Sequence, residues 1–179
     1  MKTLNIIIIF LFVIGSSCNA QKTLSELKNN QIKVAGYTYN INRSSNSFIL
    51  IENSSNKLAN VKPKRPNWPP NIPSFKKISI NQALLNSIFK EVISANKIKL
   101  LPKDITDDLS VRIRADLEGN PIEISFVTDK KSILTVEELS LLERQIKKKI
   151  KIFIQEDFKK YLIGADFIVF DAQIQYKKL

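Results

Sequence analysis

The sequence predicts an α+β fold in which two helices cover one face of a three-stranded antiparallel sheet. Apolar residues recur at every second position in residues 109–128 and 166–176, which is the period of a half-buried strand. They recur every three to four positions in residues 79–96 and 135–153, as in an amphipathic helix. The predicted order is helix, hairpin, helix and strand, preceded by an N-terminal hairpin and a proline-rich arm.

The first twenty residues predict an export signal. Lys2 precedes an uncharged apolar run from Ile6 to Ile14 and small residues follow, which is the order of a signal peptide. The run is roughly half of what a membrane-spanning helix needs. Two processing routes stay open: cleavage before Gln21, or acylation of Cys18, which would anchor the protein to a membrane. We assign residues 1–20 to the signal and expect a periplasmic or extracellular protein.

The composition limits the chemistry of the chain. There is no histidine, so Ser-His-Asp triads, Cys-His nucleophiles and His-ligated zinc sites are excluded. No cysteine follows Cys18, so the fold depends on a hydrophobic core, for which 44% hydrophobic residues suffice. We expect no cofactor, no metal and no catalytic residue.

Residues 21–57 are predicted to form an N-terminal strand or hairpin segment. Alternating apolar residues from Ile32 to Ile41 indicate one strand, and the apolar run from Phe48 to Ile51 indicates a second.

A proline-rich basic linker is predicted for residues 58–76. Five prolines between Val61 and Ser74 alternate with basic residues and Trp68, a composition that favours an extended, polyproline-like chain. This segment is either a stiff spacer whose Trp68 packs on the domain or a basic recognition peptide anchored by Trp68.

The remaining residues, 77–179, are predicted to form the compact α+β domain. Ser79 and Gln82 match a capping box at the start of the first helix. Residues 109–117 alternate as a half-buried strand, and a turn at Gly119 leads to a returning strand, so residues 109–128 form an antiparallel hairpin.

The second helix and the last strand complete this domain. Thr135 and Glu138 form a second capping box, and an apolar stripe reaching Phe153 predicts a helix of about five turns. On its polar side Glu143 can pair with Lys147.

Three segments carry a family resemblance: the hairpin "VRIRADLEGNPIEISFV", the helix "TVEELSLLERQIKKKIKIFI" and the closing strand "DFIVFDAQIQY". With them, residues 77–179 resemble the C-terminal domain of TonB-like proteins, as found in small exported bacterial proteins of uncharacterised function. The resemblance implies two helices on a three-stranded antiparallel sheet. It also implies that the last strand, from Asp166 to Tyr176, accepts an extended partner peptide by its backbone.

The first functional hypothesis is therefore an exported, non-enzymatic interaction module that binds a partner by strand addition at the sheet edge. The partner would be another protein of the periplasm or outer membrane. In the alternative interpretation Lys177, Lys178 and the segment from Ile32 to Ile51 protect that edge.

A second hypothesis is electrostatic binding to an anionic surface or polymer, such as lipopolysaccharide or phospholipid headgroups. The ordinary alternative is that the charges are a solvated helix face. The export signal disfavours nucleic acid as a partner. The cluster comprises Lys147, Lys148, Lys149, Lys151, Lys159 and Lys160 near the end of the second helix, with Arg112 and Arg114 on the exposed face of the hairpin.

A third hypothesis is a carboxylate hydrolase. Such an enzyme needs two acids in a shaped cleft that separates their pKa values. The acids of this chain are interleaved with lysines at turns and wet positions, so we expect solvated ion pairs and no enzyme. The two candidate groups are Asp116, Glu118 and Glu123 at the hairpin turn, and Glu156, Asp157 and Asp166 after the second helix.

Overall fold

The computed structural model describes residues 22–28, 30–43, 47–64, 67, 77–103 and 108–179. The predicted signal peptide, Cys18 and Trp68 lie outside the described residues. The chain is an α+β protein with an antiparallel sheet, which confirms the predicted fold class. No helix in the described ranges is long and apolar enough to cross a membrane.

Within the described residues the main sheet has six strands, whereas the sequence predicted three. The strands are β1 (Gln31–Val34), β2 (Tyr37–Asn42), β3 (Phe48–Asn53), β4 (Ile78–Ser79), β5 (Leu109–Ala115), β6 (Pro121–Asp129), β7 (Phe153–Ile154) and β8 (Ile168–Ile174). In spatial order the main sheet runs β1-β2-β3-β6-β5-β8, and a separate pair, β4 with β7, makes a small second sheet.

The prediction of three strands was wrong because the N-terminal segment joins the same sheet. Strand β3 pairs antiparallel with β6, with Ile51 opposite Phe126. This segment is also a three-stranded meander rather than a hairpin. A two-residue turn at Ala35 (φ 49°) and Gly36 (φ 84°) divides the predicted strand from Ile32 to Ile41 into β1 and β2.

In the part of the chain that the structure describes, four helices accompany the sheet. They are α1 (Gln82–Val92), α2 (Ala95–Leu100), α3 (Val136–Lys149) and α4 (Glu156–Lys159), and short 3₁₀ helices span Lys160–Leu162 and Tyr176–Lys178. The capping box of Thr135 and Glu138 at the start of α3 is confirmed. The predicted cap at Ser79 is wrong, because Asn81 caps α1 and Ser79 instead pairs with Phe153 between β4 and β7.

The core lies between one face of the sheet and helices α1 and α3. The register places Ile41, Ile51, Phe126, Val111 and Ala172 in one row across five strands, and all five are buried. Helix α3 ends at Lys149, so Phe153 does not continue its apolar stripe as predicted. That ring is 66% exposed.

A buried network joins the N-terminal strands to α3. The Tyr39 hydroxyl on β2 donates to a carboxylate oxygen of Glu143 at 2.7 Å, and the Lys147 ammonium donates to the other oxygen at 2.6 Å. The predicted pair of Glu143 and Lys147 is thus confirmed. Burial, more than the contact with Glu143, raises the pKa of Tyr39, so the phenol stays a donor.

Candidate functional site at the last strand

Strand β8 lies at one edge of the six-stranded sheet. On one side it pairs with β5 along its whole length, and no described strand pairs with its other side. The three N-terminal strands occupy the β6 side of the sheet. The alternative in which the segment from Ile32 to Ile51 covers the β8 edge is therefore wrong.

The outward backbone groups of β8 follow from the hydrogen bonding of β5. Beyond the end of β5, the Asp116 N–H donates to the Asn120 carbonyl at 3.0 Å, so Asp116 points toward β6. Because the backbone N–H and C=O groups alternate in direction along a strand, those of every second residue of β5 point toward β8. The pairing then directs the backbone N–H and C=O groups of Val169, Asp171 and Gln173 on β8 away from the sheet.

A side-chain contact supports this direction independently. The Gln82 amide of α1 donates to the Gln173 carbonyl at 2.9 Å, which requires that carbonyl to face outward. Gln82 thereby occupies one acceptor of the edge. The outward groups of Val169 and Asp171 have no backbone partner in the part of the chain that the structure describes.

A groove of about 370 Å³ runs beside this edge. Helix α1 forms one wall and β8 the other, and the residues just after β8 close one end. Its lining residues are polar except for Phe170 and Ala172, so side-chain donors and acceptors lie beside the open backbone edge. The polar lining residues are Gln82, Asn86, Ser110, Asp171, Gln173, Gln175 and Lys178.

Two polar side chains of the groove differ in how well they are paired. Asp171 makes a bidentate contact with Arg112, with Nε to Oδ1 at 2.7 Å and Nη2 to Oδ2 at 3.1 Å. The hydrogen bond that Arg112 donates to Asp171 raises the pKa of Arg112. The side-chain oxygen of Gln175 is buried and accepts no hydrogen bond from any described residue.

The predicted basic cluster is largely paired within the protein. Lys147 binds Glu143, Lys149 binds Glu91 and Lys159 binds Glu156, each at 2.6 Å. The prediction that Arg114 is exposed was wrong. Its side chain is 4% exposed, and its guanidinium donates to the Ala59 carbonyl at 2.9 Å.

Arg114 is buried because residues 56–59, here called the covering segment, cross the polar face of the sheet. Glu123 holds this segment, since its carboxylate accepts the backbone N–H of Leu58 at 2.9 Å and also that of Lys57. The Asn56 side chain donates to the Ile124 carbonyl at 2.9 Å. The linker predicted from residue 58 onward thus starts in contact with the sheet.

Two of the other candidate acids, Asp116 and Asp157, also have local partners. Partial burial would raise the pKa of Asp116, but hydrogen bonds from the side chain and backbone of Asn120 and from the Glu118 N–H lower it overall. Asp157 binds Lys77 at 2.7 Å, which lowers its pKa. Within the described ranges, no three acidic or cysteine side chains are placed to hold a metal ion.

The groove residues of α1 were not recognised as site residues from the sequence. Gln82 was interpreted as part of a capping box, and Asn86 had no assigned role. Gln82 contacts a residue 91 positions later in the chain, a contact that no local pattern signals.

Together these features define an α+β protein with an open-edged antiparallel sheet and a groove along that edge. The fold is similar to the crystal structure of a DUF5043 family protein from Bacteroides uniformis, with a TM-score of 0.65 and 17% sequence identity. The similarity covers 87% of this chain and 86% of the other, and at this identity it concerns the fold alone. No family model and no curated protein sequence matches the chain.

Proposed function

We propose that this chain is an exported, non-enzymatic interaction module that binds an extended segment of another envelope protein by strand addition to β8. The observation that carries the proposal is the edge itself: Val169 and Asp171 direct backbone donors and acceptors away from the sheet, and Asp171 lines the adjoining groove. An added antiparallel or parallel strand would satisfy these groups, as in other strand-addition complexes.

The sequence supports the compartment and the mode of binding. The N-terminal apolar run favours export, and the TonB-like segments of residues 77–179 favour a helix, hairpin, helix and strand unit that uses its last strand for contacts. In this proposal the unit keeps its β8 edge open while three N-terminal strands extend the other side of its sheet.

Proline at position 169 tests the proposal. The variant Val169→Pro removes one outward N–H, and because that N–H does not bond to β5 the sheet keeps its ladder. We expect the variant to fold while losing capture of partners from an envelope extract at high salt. Val169→Ala is the matched control, because it trims the same side chain and retains the N–H.

Two results would contradict strand addition. The first is equal capture by the proline and alanine variants, each shown to fold by circular dichroism. The second is retention of the protein on lipopolysaccharide that is abolished by modest salt but is unchanged in the Val169→Pro variant. This result would support the electrostatic hypothesis instead.

A further inference from the structure

The groove beside β8 carries a positive charge that no described residue balances. Lys178 lines the groove, is exposed, and forms no ion pair with any described carboxylate. Asp171, the one acid of the lining, is already bound bidentately by Arg112. A ligand in this groove therefore meets a cation whose charge is available.

The neighbouring wall adds to this polarity. Helix α1 begins at Gln82 and has no acidic residue in its first turn, so the positive end of its dipole is not neutralised there. Asn86 accepts a hydrogen bond from Gln82 at its side-chain oxygen, which leaves its amide hydrogens to donate. Donors and positive charge thus meet at the end of the groove that follows Gln173.

The backbone of the edge limits where an added strand can pair. Gln82 already donates to the Gln173 carbonyl, so the backbone groups left for an added strand are those of Val169 and Asp171 and the N–H of Gln173. A strand paired there that continues beyond Gln173 runs toward Lys178, which lines the same groove.

The charge of the whole chain decides between occupants. With 28 basic and 17 acidic residues the net charge is +11, so a second copy of the same chain would be repelled and an acidic segment attracted. We propose that the strand accepted by β8 carries a carboxylate that lies against Lys178. The carboxylate belongs either to an aspartate or glutamate side chain or to a free C-terminus. This inference rests on the proposed strand addition and names the chemistry of the partner.

A random decapeptide library tests strand addition to β8 and the carboxylate contact with Lys178 separately. It is displayed once with free C-termini and once with blocked C-termini, and selected on the wild type, Lys178→Glu and Val169→Pro. Lys148→Glu is the matched control, because it makes the same charge change at an exposed site outside the groove. Circular dichroism of each variant checks the fold.

We expect the wild type and Lys148→Glu to select peptides with an acidic residue at a constant position, or peptides that require a free C-terminus. Lys178→Glu should lose this preference, and its affinity for the best acidic peptide should fall roughly two- to five-fold, as for an exposed ion pair. Val169→Pro should select nothing.

The outcomes distinguish the two proposals. Selection of peptides without acidic bias, unchanged in Lys178→Glu, would overturn the carboxylate while strand addition stands. Selection by a folded Val169→Pro variant of the same peptides would overturn strand addition. A wild type that enriches no peptide would overturn both.

Discussion

At the scale of single residues, Gly119 has a role beyond its turn. Its φ of 90° lies in the left-handed region, and a Cβ there would stand 2.0 Å from the backbone oxygen of Ile152. The Gly119 carbonyl also accepts the Ile152 N–H at 2.8 Å. This position therefore joins the hairpin to the chain that leads into β7.

We predict that Gly119→Ala lowers the free energy of unfolding by more than about 2 kcal/mol, since backbone strain of roughly 1–2 kcal/mol adds to a clash with backbone. The control is Gly36→Ala, whose φ of 84° is similar but whose Cβ would meet nothing within 4 Å. Urea unfolding measures the difference between the two variants. Equal losses of unfolding free energy in the two variants would show that the clash with Ile152 adds nothing to the destabilisation.

A second residue-scale prediction concerns Tyr39. The Tyr39→Phe variant removes a donor from the buried Glu143 and should lower the free energy of unfolding at neutral pH by about 1–3 kcal/mol. Tyr37→Phe is the control, because Tyr37 is on the same strand and 44% exposed.

The same residue makes stability depend on pH. The pKa of Tyr39 is raised in the folded protein, so above about pH 10 the unfolded chain loses its phenolic proton first and stability falls. Between pH 9 and 11 we expect the free energy of unfolding of the wild type to fall more than that of Tyr39→Phe. The extra loss should be on the order of that caused by one additional proton bound in the folded state. Parallel curves for the two proteins would contradict this assignment.

At the scale of elements, the covering segment determines how much of the sheet is open. Residues 56–59 bury Arg114 on the face that the sequence predicted to be wet, and Glu123 anchors them by accepting backbone N–H groups. A hydrogen bond from a backbone N–H to a carboxylate is stronger than one between two neutral groups.

We predict that Glu123→Ala releases this segment and lowers the free energy of unfolding by about 1–3 kcal/mol. Hydrogen exchange should accelerate at the Lys57 and Leu58 amides, while the β5 and β8 ladder stays protected. Glu118→Ala serves as the control, because Glu118 is exposed at the nearby turn and does not contact the segment. Unchanged exchange at Leu58 would show that other contacts hold the segment.

At the scale of the whole molecule, the structure makes one sheet from both halves of the chain. Ile51 stands opposite Phe126, and Tyr39 bonds to Glu143, so the N-terminal strands cover apolar and charged groups of residues 77–179. Near the N-terminus, the Leu24 N–H donates to the Leu134 carbonyl at 2.8 Å. The compact unit predicted for residues 77–179 shares its core with N-terminal residues, namely Leu24, Tyr39, Ile41, Ile49 and Ile51.

We therefore predict that residues 77–179 expressed alone do not unfold cooperatively, whereas residues 21–179 do. Removing β1 to β3 exposes apolar surface and removes the Tyr39 hydroxyl that donates to Glu143. Together these losses should cost a free energy comparable to the stability of a small domain. Near-ultraviolet circular dichroism during urea titration distinguishes the two proteins. A sharp transition in the short protein would show that the N-terminal strands are dispensable.

Local sequence patterns determined the fold class, the hairpin of β5 and β6, the capping box of α3 and the apolar alternation of β8. Each depends on residues a few positions apart, such as Thr135 with Glu138, so its energetics are contained in a short segment.

The tertiary structure alone decided which strands are neighbours and which edge stays open. The pairing of Ile51 with Phe126 spans 75 positions and is selected by burial of a shared face, which many registers of alternating residues satisfy equally in the sequence. The burial of Arg114 and the contact of Gln82 with Gln173 also depend on segments that are distant in the sequence. The candidate site lies where these distant segments meet, because an edge is a property of the whole sheet.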